Sequence, residues 1–270
     1  MARTTVAVFA VVVGASLFTA GCSGGSSDGA ASTTAASVTS TTAAPSSTTT
    51  APATTSAPPP TTTTPPAKPC TGSTTAPPSG ASTKQVIDVD GDGKPDTAWI
   101  QGTEDGTVTV GITTAAGGQS SVPFDSASPV ERSAFVIAAT EALPAQIILS
   151  DGRGASLYSW VGCAIKPVKN PQGATYAFDL GDRIGTGSGI GCANTSAGRR
   201  LVGLNRLDGS TDTTVKWSQT VIEIDGLAAH NGATTTGTYT SPADQAQIAR
   251  LDDITCGNQT IEADGVHLQN

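Results

Sequence analysis

The segment from Asp88 to Asp96 has the residue types and the spacing of a loop that binds a hard divalent cation. It reads Asp-Val-Asp-Gly-Asp-Gly-Lys-Pro-Asp, with carboxylates at its first, third, fifth and ninth positions. Ca²⁺ takes about six to eight oxygen ligands, which such a loop supplies from alternate side chains and from the backbone carbonyl at its seventh position. Glycine at the sixth position allows the sharp turn. The sequence therefore predicts a Ca²⁺ site with these ligands: Asp88, Asp90, Asp92, Asp96 and the carbonyl of Lys94.

The flanks of this loop predict strands on both sides. Residues 84–87 and 97–100 are rich in Val, Ile, Thr and Trp, which favour strands. An EF-hand would have helical flanks and a bidentate Glu at the twelfth position, where Trp99 stands. The alternative is a solvated acidic hairpin that binds no ion, which we disfavour because unpaired carboxylates this close repel one another.

Residues 88–100 resemble the calcium-loop repeat of the FG-GAP/VCBS family, which builds the blades of integrin-type β-propellers. The resemblance is confined to this loop and the strands beside it. It implies an all-β fold in which the bound Ca²⁺ is structural and holds one hairpin closed.

The rest of the folded part also predicts short strands. Apolar runs rich in Val, Ile and Trp alternate with Gly, Asp and Asn, for example at 146–149 and 156–161. Helical periodicity is poor, and 129–143 is the one segment that would allow a helix or a long loop. We expect a small β-propeller-like domain of three to four blades over residues 83–270.

Two internal similarities favour repeated blades. Residues 221–227 recur in similar form at 260–266, a separation typical of one blade. Residues 191–204 resemble the calcium-loop repeat when Gly198 is aligned with Gly93, but two alanines and a threonine replace its first three aspartates. This second segment is therefore expected to keep the strand-loop-strand shape without a metal.

The N-terminus has the organisation of an export signal. Arg3 precedes an uncharged apolar run that ends in Thr-Ala-Gly-Cys at Cys22. This end resembles a bacterial lipobox, although Thr19 stands where Leu is usual. We expect residues 1–21 to be a lipoprotein signal peptide and Cys22 to carry the lipid, whose several acyl chains would anchor the chain to the cell membrane, outside the cytoplasm. The alternatives are plain secretion and an uncleaved membrane anchor.

Residues 22–82 consist almost entirely of Ser, Thr, Ala, Pro and Gly. A segment with so few large apolar residues cannot bury enough surface to offset the loss of backbone entropy. We expect a disordered stalk that holds the folded domain away from the membrane.

Cysteine usage predicts disulfides. Setting aside Cys22 leaves four of the five cysteines, an even number in an exported chain, and four cysteines allow three pairings. We favour Cys70–Cys256, which would clasp the two ends of the domain, together with Cys163–Cys192.

Charge and residue types disfavour several kinds of function. The chain has 22 acidic and 14 basic residues, so its net charge of −8 repels nucleic acid. Neither His230 nor His267 lies in a catalytic motif. Residues 181–189 contain a Gly-x-Gly-x-Gly pattern, but it lacks the Lys-Ser/Thr of a phosphate loop and no helix is expected after it, so we expect a loop between blades. We expect a cell-surface binding or structural module with an unknown protein or glycan ligand, and no enzyme. The alternative is a lectin-like or hydrolytic surface protein, which would bring Glu223, Asp225 or the tryptophans together in one pocket.

Overall fold

The computed structural model describes residues 69–72, 76–140, 144–180, 187–196 and 198–269. The predicted signal peptide, Cys22 and most of the predicted stalk lie outside these residues. Within the described part of the chain, no helix is long and apolar enough to cross a membrane. The described residues form an all-β domain, which confirms the predicted fold class.

Sheet 1 is a four-stranded antiparallel meander that begins at residue 82. Its strands follow one another in chain order, as in a propeller blade. β2 and β3 carry most of its apolar side chains, which are buried over nearly their whole length. The strands are β1 (Ser82–Val86), β2 (Asp96–Gly102), β3 (Val108–Thr113) and β4 (Gln119–Pro123).

Sheet 2 is built mainly from the next five strands. Every residue of its first two strands is buried. The strands are β5 (Ser133–Ile137), β6 (Gln146–Ser150), β7 (Gly154–Trp160), β8 (Ile165–Pro167) and β9 (Ala177–Asp179). The structure describes residues 129–140 of the segment for which the sequence allowed a helix. The helix is wrong there, because this part contains β5. A strand buried on both faces reads as one apolar run, which periodicity does not distinguish from a buried helix.

Sheet 3 is a second four-stranded meander with much longer strands. They are β10 (Ser188–Thr195), β11 (Gly198–Arg206), β12 (Thr214–Asp225) and β13 (Ala228–Thr240). The hairpin predicted within 191–204 is present, because β10 pairs with β11 through a tight turn that ends at Gly198. Gly198 has a φ of 91°, a left-handed conformation that favours glycine.

The C-terminal segment lies against all three sheets. It contains α1 (Gln245–Arg250), β14 (Thr255–Cys256), β15 (Gln259–Thr260), α2 (Ile261–Asp264) and β16 (Val266–His267). β16 pairs with β5 and completes sheet 2 at its edge. The repeat predicted between 221–227 and 260–266 is wrong, since the first segment lies largely in β12 and the second in α2. The Thr260 side chain accepts the N–H of Ala263 and caps this helix.

Sheet 2 is the middle layer of the domain, and its two faces contribute to two different cores. Val136, Ile147 and Leu149 pack with sheet 1, where Ile100 and Ile112 are completely buried. Side chains at alternate positions of the same strands pack with sheet 3 instead, among them Phe135, Ile137 and Ile148. Blade-like sheets that pack face to face in this way agree with the expected propeller-like domain.

Four cysteines form two disulfides, but the favoured pairing is wrong. Cys70 bonds to Cys163, in the turn between β7 and β8, and Cys192 of β10 bonds to Cys256 of β14. The ends of the domain are therefore not clasped to each other. Each bond closes a long loop, of 93 and 64 residues in sequence separation, which is worth about 4–5 kcal/mol in the chain-entropy model. Two disulfides indicate an oxidising compartment, outside the cytoplasm.

The pairing follows from what holds each cysteine in place. The backbone carbonyl of buried Cys70 accepts a 2.7 Å hydrogen bond from Oγ1 of Thr114. Residues 253–256 lie along β10, where the N–H of Ile190 donates to the carbonyl of Asp253. Cys70 therefore lies against sheet 1, whereas Cys256 lies beside sheet 3.

Gly111 of β3 lies directly opposite Trp99 of β2, and a Cβ at this position would be 2.1 Å from the indole ring. Because Trp99 is only 3% exposed, its ring has little room to move. We expect Gly111→Ala to lower the free energy of unfolding by about 1–3 kcal/mol, as overpacked cores do. Urea denaturation of the purified chain measures this loss.

Gly203→Ala is the matched control, since Gly203 also lies in a central strand but a Cβ there meets no atom within 4 Å. We expect this variant to be as stable as the original chain or slightly more stable, because alanine restricts the unfolded state. Equal losses in the two variants would contradict the close contact between Gly111 and Trp99.

Candidate metal centre

The predicted calcium loop connects β1 to β2. Val86 at the end of β1 pairs with Asp96 at the start of β2, so the two ends of the loop lie side by side. Gly91 and Gly93 have φ angles of 79° and 84°, which allow the chain to turn inward between them. The strand-loop-strand arrangement expected from the flanking residues is therefore present.

Three of the predicted ligands lie together. Asp88, Asp90 and Asp96 each place a carboxylate oxygen within 4.8 Å of the other two. Asp90 is 5% exposed and Asp96 is 1% exposed. Buried carboxylates at this spacing form an all-oxygen site of the chemistry that Ca²⁺ prefers.

Backbone N–H groups within the loop hold the first of these carboxylates in position. The N–H groups of Gly91 and Gly93 donate to the two oxygens of Asp88, each over 2.6 Å, and the N–H of Asp92 donates more weakly over 3.2 Å. Asp88 thus closes the loop around its own side chain. A carboxylate has about four lone-pair sites, so these bonds leave acceptor capacity for a cation.

The other two carboxylates connect the loop to neighbouring parts of sheet 1. Asp90 Oδ2 accepts the N–H of Cys70 over 2.7 Å. Asp96 accepts the N–H of Val89 over 2.7 Å and, with its other oxygen, the N–H of Ala115 over 2.8 Å. The site therefore joins the β1–β2 loop to the segment before β1 and to the β3–β4 turn.

The electrostatics of the cluster favour a bound cation. Burial raises the pKa of Asp96 above its ordinary value, the N–H groups of Val89 and Ala115 lower it, and the charges of Asp90 and Asp88 raise it further. Within the described ranges, the two ion pairs lie elsewhere, Arg206 with Asp252 and His267 with Glu131. A divalent cation would supply the positive charge that no side chain of the described residues supplies here, so these residues fit Ca²⁺.

Asp92 and Lys94 are not part of this cluster. Asp92 Oδ1 accepts the N–H of Lys94 over 2.8 Å, which directs the Asp92 carboxylate to the backbone of the loop. Lys94 was predicted to contribute its backbone carbonyl, not its side chain. Asp92 and Lys94 therefore remain predicted ligands, whereas Asp88, Asp90 and Asp96 lie together in the structure.

Two groups that position the site could not be predicted from the sequence. The N–H groups of Cys70 and Ala115 are 20 and 19 positions away from the aspartates that accept them. Backbone donors carry no residue signature, so no motif marks them. Cys70 was predicted only as half of a disulfide, although its N–H also fixes Asp90.

The groups named for a lectin or a hydrolase do not come together. Trp99 and Trp160 are buried in cores, 3% and 4% exposed. Trp217 is half-buried and stacks on Tyr239 with ring centroids 5.1 Å apart. Glu223 lies in β12 opposite His230 of β13, on exposed positions of that hairpin. The described residues thus lack the converging pocket that this alternative requires.

Comparison of the chain with family models, with curated proteins and with solved structures gives no match. The FG-GAP/VCBS resemblance therefore remains a prediction from residues 88–100.

Proposed function

We propose that the chain is a calcium-binding structural or binding module, held outside the cytoplasm of a bacterium by a lipid on Cys22. The observation that carries the metal assignment is the convergence of Asp88, Asp90 and Asp96 within 4.8 Å, with two of them almost completely buried. Three carboxylates held this close repel one another unless a cation or protons neutralise them.

The proposed role of Ca²⁺ is structural. The cluster holds the ends of three segments: the β1–β2 loop, the chain at Cys70 and the β3–β4 turn at Ala115. A cation there would fasten these segments to one another. We expect a dissociation constant of about 10⁻⁴–10⁻³ M, as in extracellular modules, so the site would fill at the calcium levels of the cell exterior.

The rest of the proposal rests on the sequence and the disulfides. Cys22 would attach the chain to the membrane, and the part of the predicted stalk before Pro69 would separate the membrane from the domain, because Cys70 is already buried in the domain. The module would bind a protein or a glycan rather than catalyse a reaction. A lectin-like or hydrolytic role is less favoured, because Trp99 and Trp160 are enclosed in cores.

Calcium is expected to raise the melting temperature of the purified chain when it is added at millimolar concentration after chelation, since a ligand that binds only the folded state stabilises it by mass action. In Asp90→Ala this increase should disappear, because the variant loses a central carboxylate. Differential scanning calorimetry in calcium and in chelator measures the increase in melting temperature for the unsubstituted chain and for Asp90→Ala.

Asp105→Ala is the control for this measurement. Asp105 Oδ1 also accepts a backbone N–H, that of Thr107 over 3.0 Å, but it lies in the β2–β3 turn. This variant should keep the full calcium-dependent increase. If the melting temperature of the unsubstituted chain is the same in calcium and in chelator, the metal assignment is wrong.

The calcium effect should depend on pH. The pKa of Asp96 is raised in the folded protein, so without metal the folded state binds more protons than the unfolded state between the two pKa values. The contribution of this carboxyl to stability is therefore complete below its unfolded pKa of about 3.9 and is lost as pH rises through the folded value. Above the folded pKa of Asp96, bound Ca²⁺ would neutralise this carboxylate in place of the proton.

The increase in melting temperature caused by calcium should accordingly be largest near neutral pH and shrink as pH falls toward about 4. Melting curves with and without calcium across this range measure it. A calcium effect that grows as the pH falls would contradict carboxylate ligation.

Cys22→Ser is expected to move the chain from the membrane fraction to the released fraction when it is expressed in a bacterium with its own N-terminus. The substitution removes the thiol that would carry the lipid, and with it several acyl chains. Fractionation together with labelling by a radioactive fatty acid measures the change. Cys163→Ser serves as the control, because it should leave labelling intact.

A further inference from the structure

β13 is the outer strand of sheet 3, and no described residue pairs with the middle of its outer side. Its beginning is covered, since the N–H of Ala229 donates to the carbonyl of Lys169 over 2.8 Å. Its last residue, Thr240, donates its N–H to Asp244 over 2.8 Å. Between them, residues 232–239 make backbone hydrogen bonds with no described residue beyond β12. We call residues 232–239 the free edge.

The other long edges of the described sheets are covered. β10 is flanked by the chain before β14, where the N–H of Ile190 donates to the carbonyl of Asp253 over 2.9 Å. β4 lies against β8, and Ser120 Oγ accepts the N–H of Ile165 over 3.0 Å. β1 lies beside β16. The free edge is therefore an exception in a domain that otherwise covers its strands.

Residues 234–239 of the free edge lack the features that prevent strand pairing. Edge strands of monomers usually carry a charge, a proline or a bulge that blocks another strand. A bulge lies only at one end, at residues 232–233, which stand opposite a single residue of β12, and residues 234–239 pair regularly with β12. The free edge reads Gly-Ala-Thr-Thr-Thr-Gly-Thr-Tyr and has no charged residue and no proline. Its threonines are all exposed, and Thr and Tyr favour strands. The net charge of −8 makes copies of the chain repel one another. The eight residues of the free edge carry no charge and add nothing to this repulsion.

The threonines of the free edge match each other in one symmetric register. An antiparallel pair centred on Thr236 places Thr236 opposite its own copy and Thr234 opposite Thr238, all on the same face. Within the chain, the hydroxyls of Thr234 and Thr220, on β13 and β12, already lie 2.8 Å apart. Thr–Thr pairs across strands stabilise sheets. A two-fold pair of free edges would repeat this contact between copies.

We propose that two copies of this chain associate through their free edges, β13 against β13 in antiparallel orientation, to form one continuous sheet. Such an interface is isologous, the usual form of a homodimer contact. The chain's own residues 45–69 are a poorer occupant, because prolines recur among them and a proline cannot donate to a strand ladder.

Sedimentation velocity of the purified intact chain tests this proposal. The mass should rise from one chain toward two as concentration increases from about 1 µM to about 500 µM, the range of a weak to moderate interface. Thr236→Lys places two like charges directly opposite each other and should weaken the dimer about tenfold or more. Thr236→Glu should do the same, and an equal mixture of the two variants should restore association.

Thr83→Lys, an exposed strand threonine of sheet 1, is the matched control and should dimerise like the original chain. Hydrogen exchange of the unsubstituted chain gives an independent measurement, since amide protection within 232–239 should rise with chain concentration. A chain that stays monomeric over the whole range overturns the proposal. So does a dimer unaffected by both charge variants, or protection of 232–239 that is independent of concentration, which would mean that the chain covers its own edge.

Discussion

The crowding of three carboxylates, two of them buried, is the constraint on which the first sheet depends. Asp88, Asp90 and Asp96 lie close enough to repel, yet each is held by backbone N–H groups from a different part of the chain. Those hydrogen bonds recruit the segment before β1 and the β3–β4 turn to the same point. The arrangement therefore works in two ways: it organises sheet 1, and it concentrates negative charge that a cation or protons would neutralise.

The second constraint is that sheet 2 must bury both of its faces. Its central strands β5 and β6 are apolar on both sides, and each face needs a separate partner sheet. Sheet 1 covers one face and sheet 3 covers the other. Sheets 1 and 3 do not pack with each other in these two cores. Sheet 2 therefore joins the three sheets into one domain. The C-terminal strand β16 strengthens this by pairing with β5.

Local signals in the sequence predicted the loop at 88–96 and most strands, whereas relations between distant segments could not be predicted. The loop at 88–96 and its strands could be predicted because glycine positions and alternating aspartates constrain the backbone directly. The disulfide pairing could not, since it depends on which sheet each cysteine packs against. β5 was not predicted as a strand, because burial on both faces removes the alternation of polar and apolar residues that marks a strand. The similarity of 221–227 and 260–266 was misleading, because short matches do not determine backbone conformation.

The bond between Cys70 and Cys163 also decides how the domain would respond to mechanical load. Cys70 is among the first described residues of the domain, so tension on the chain before it would reach the described domain there. The covalent bond would pass this tension to the β7–β8 turn of the middle layer. The four strands of sheet 1 lie between the two bonded cysteines in sequence, so the tension would not have to pass along them.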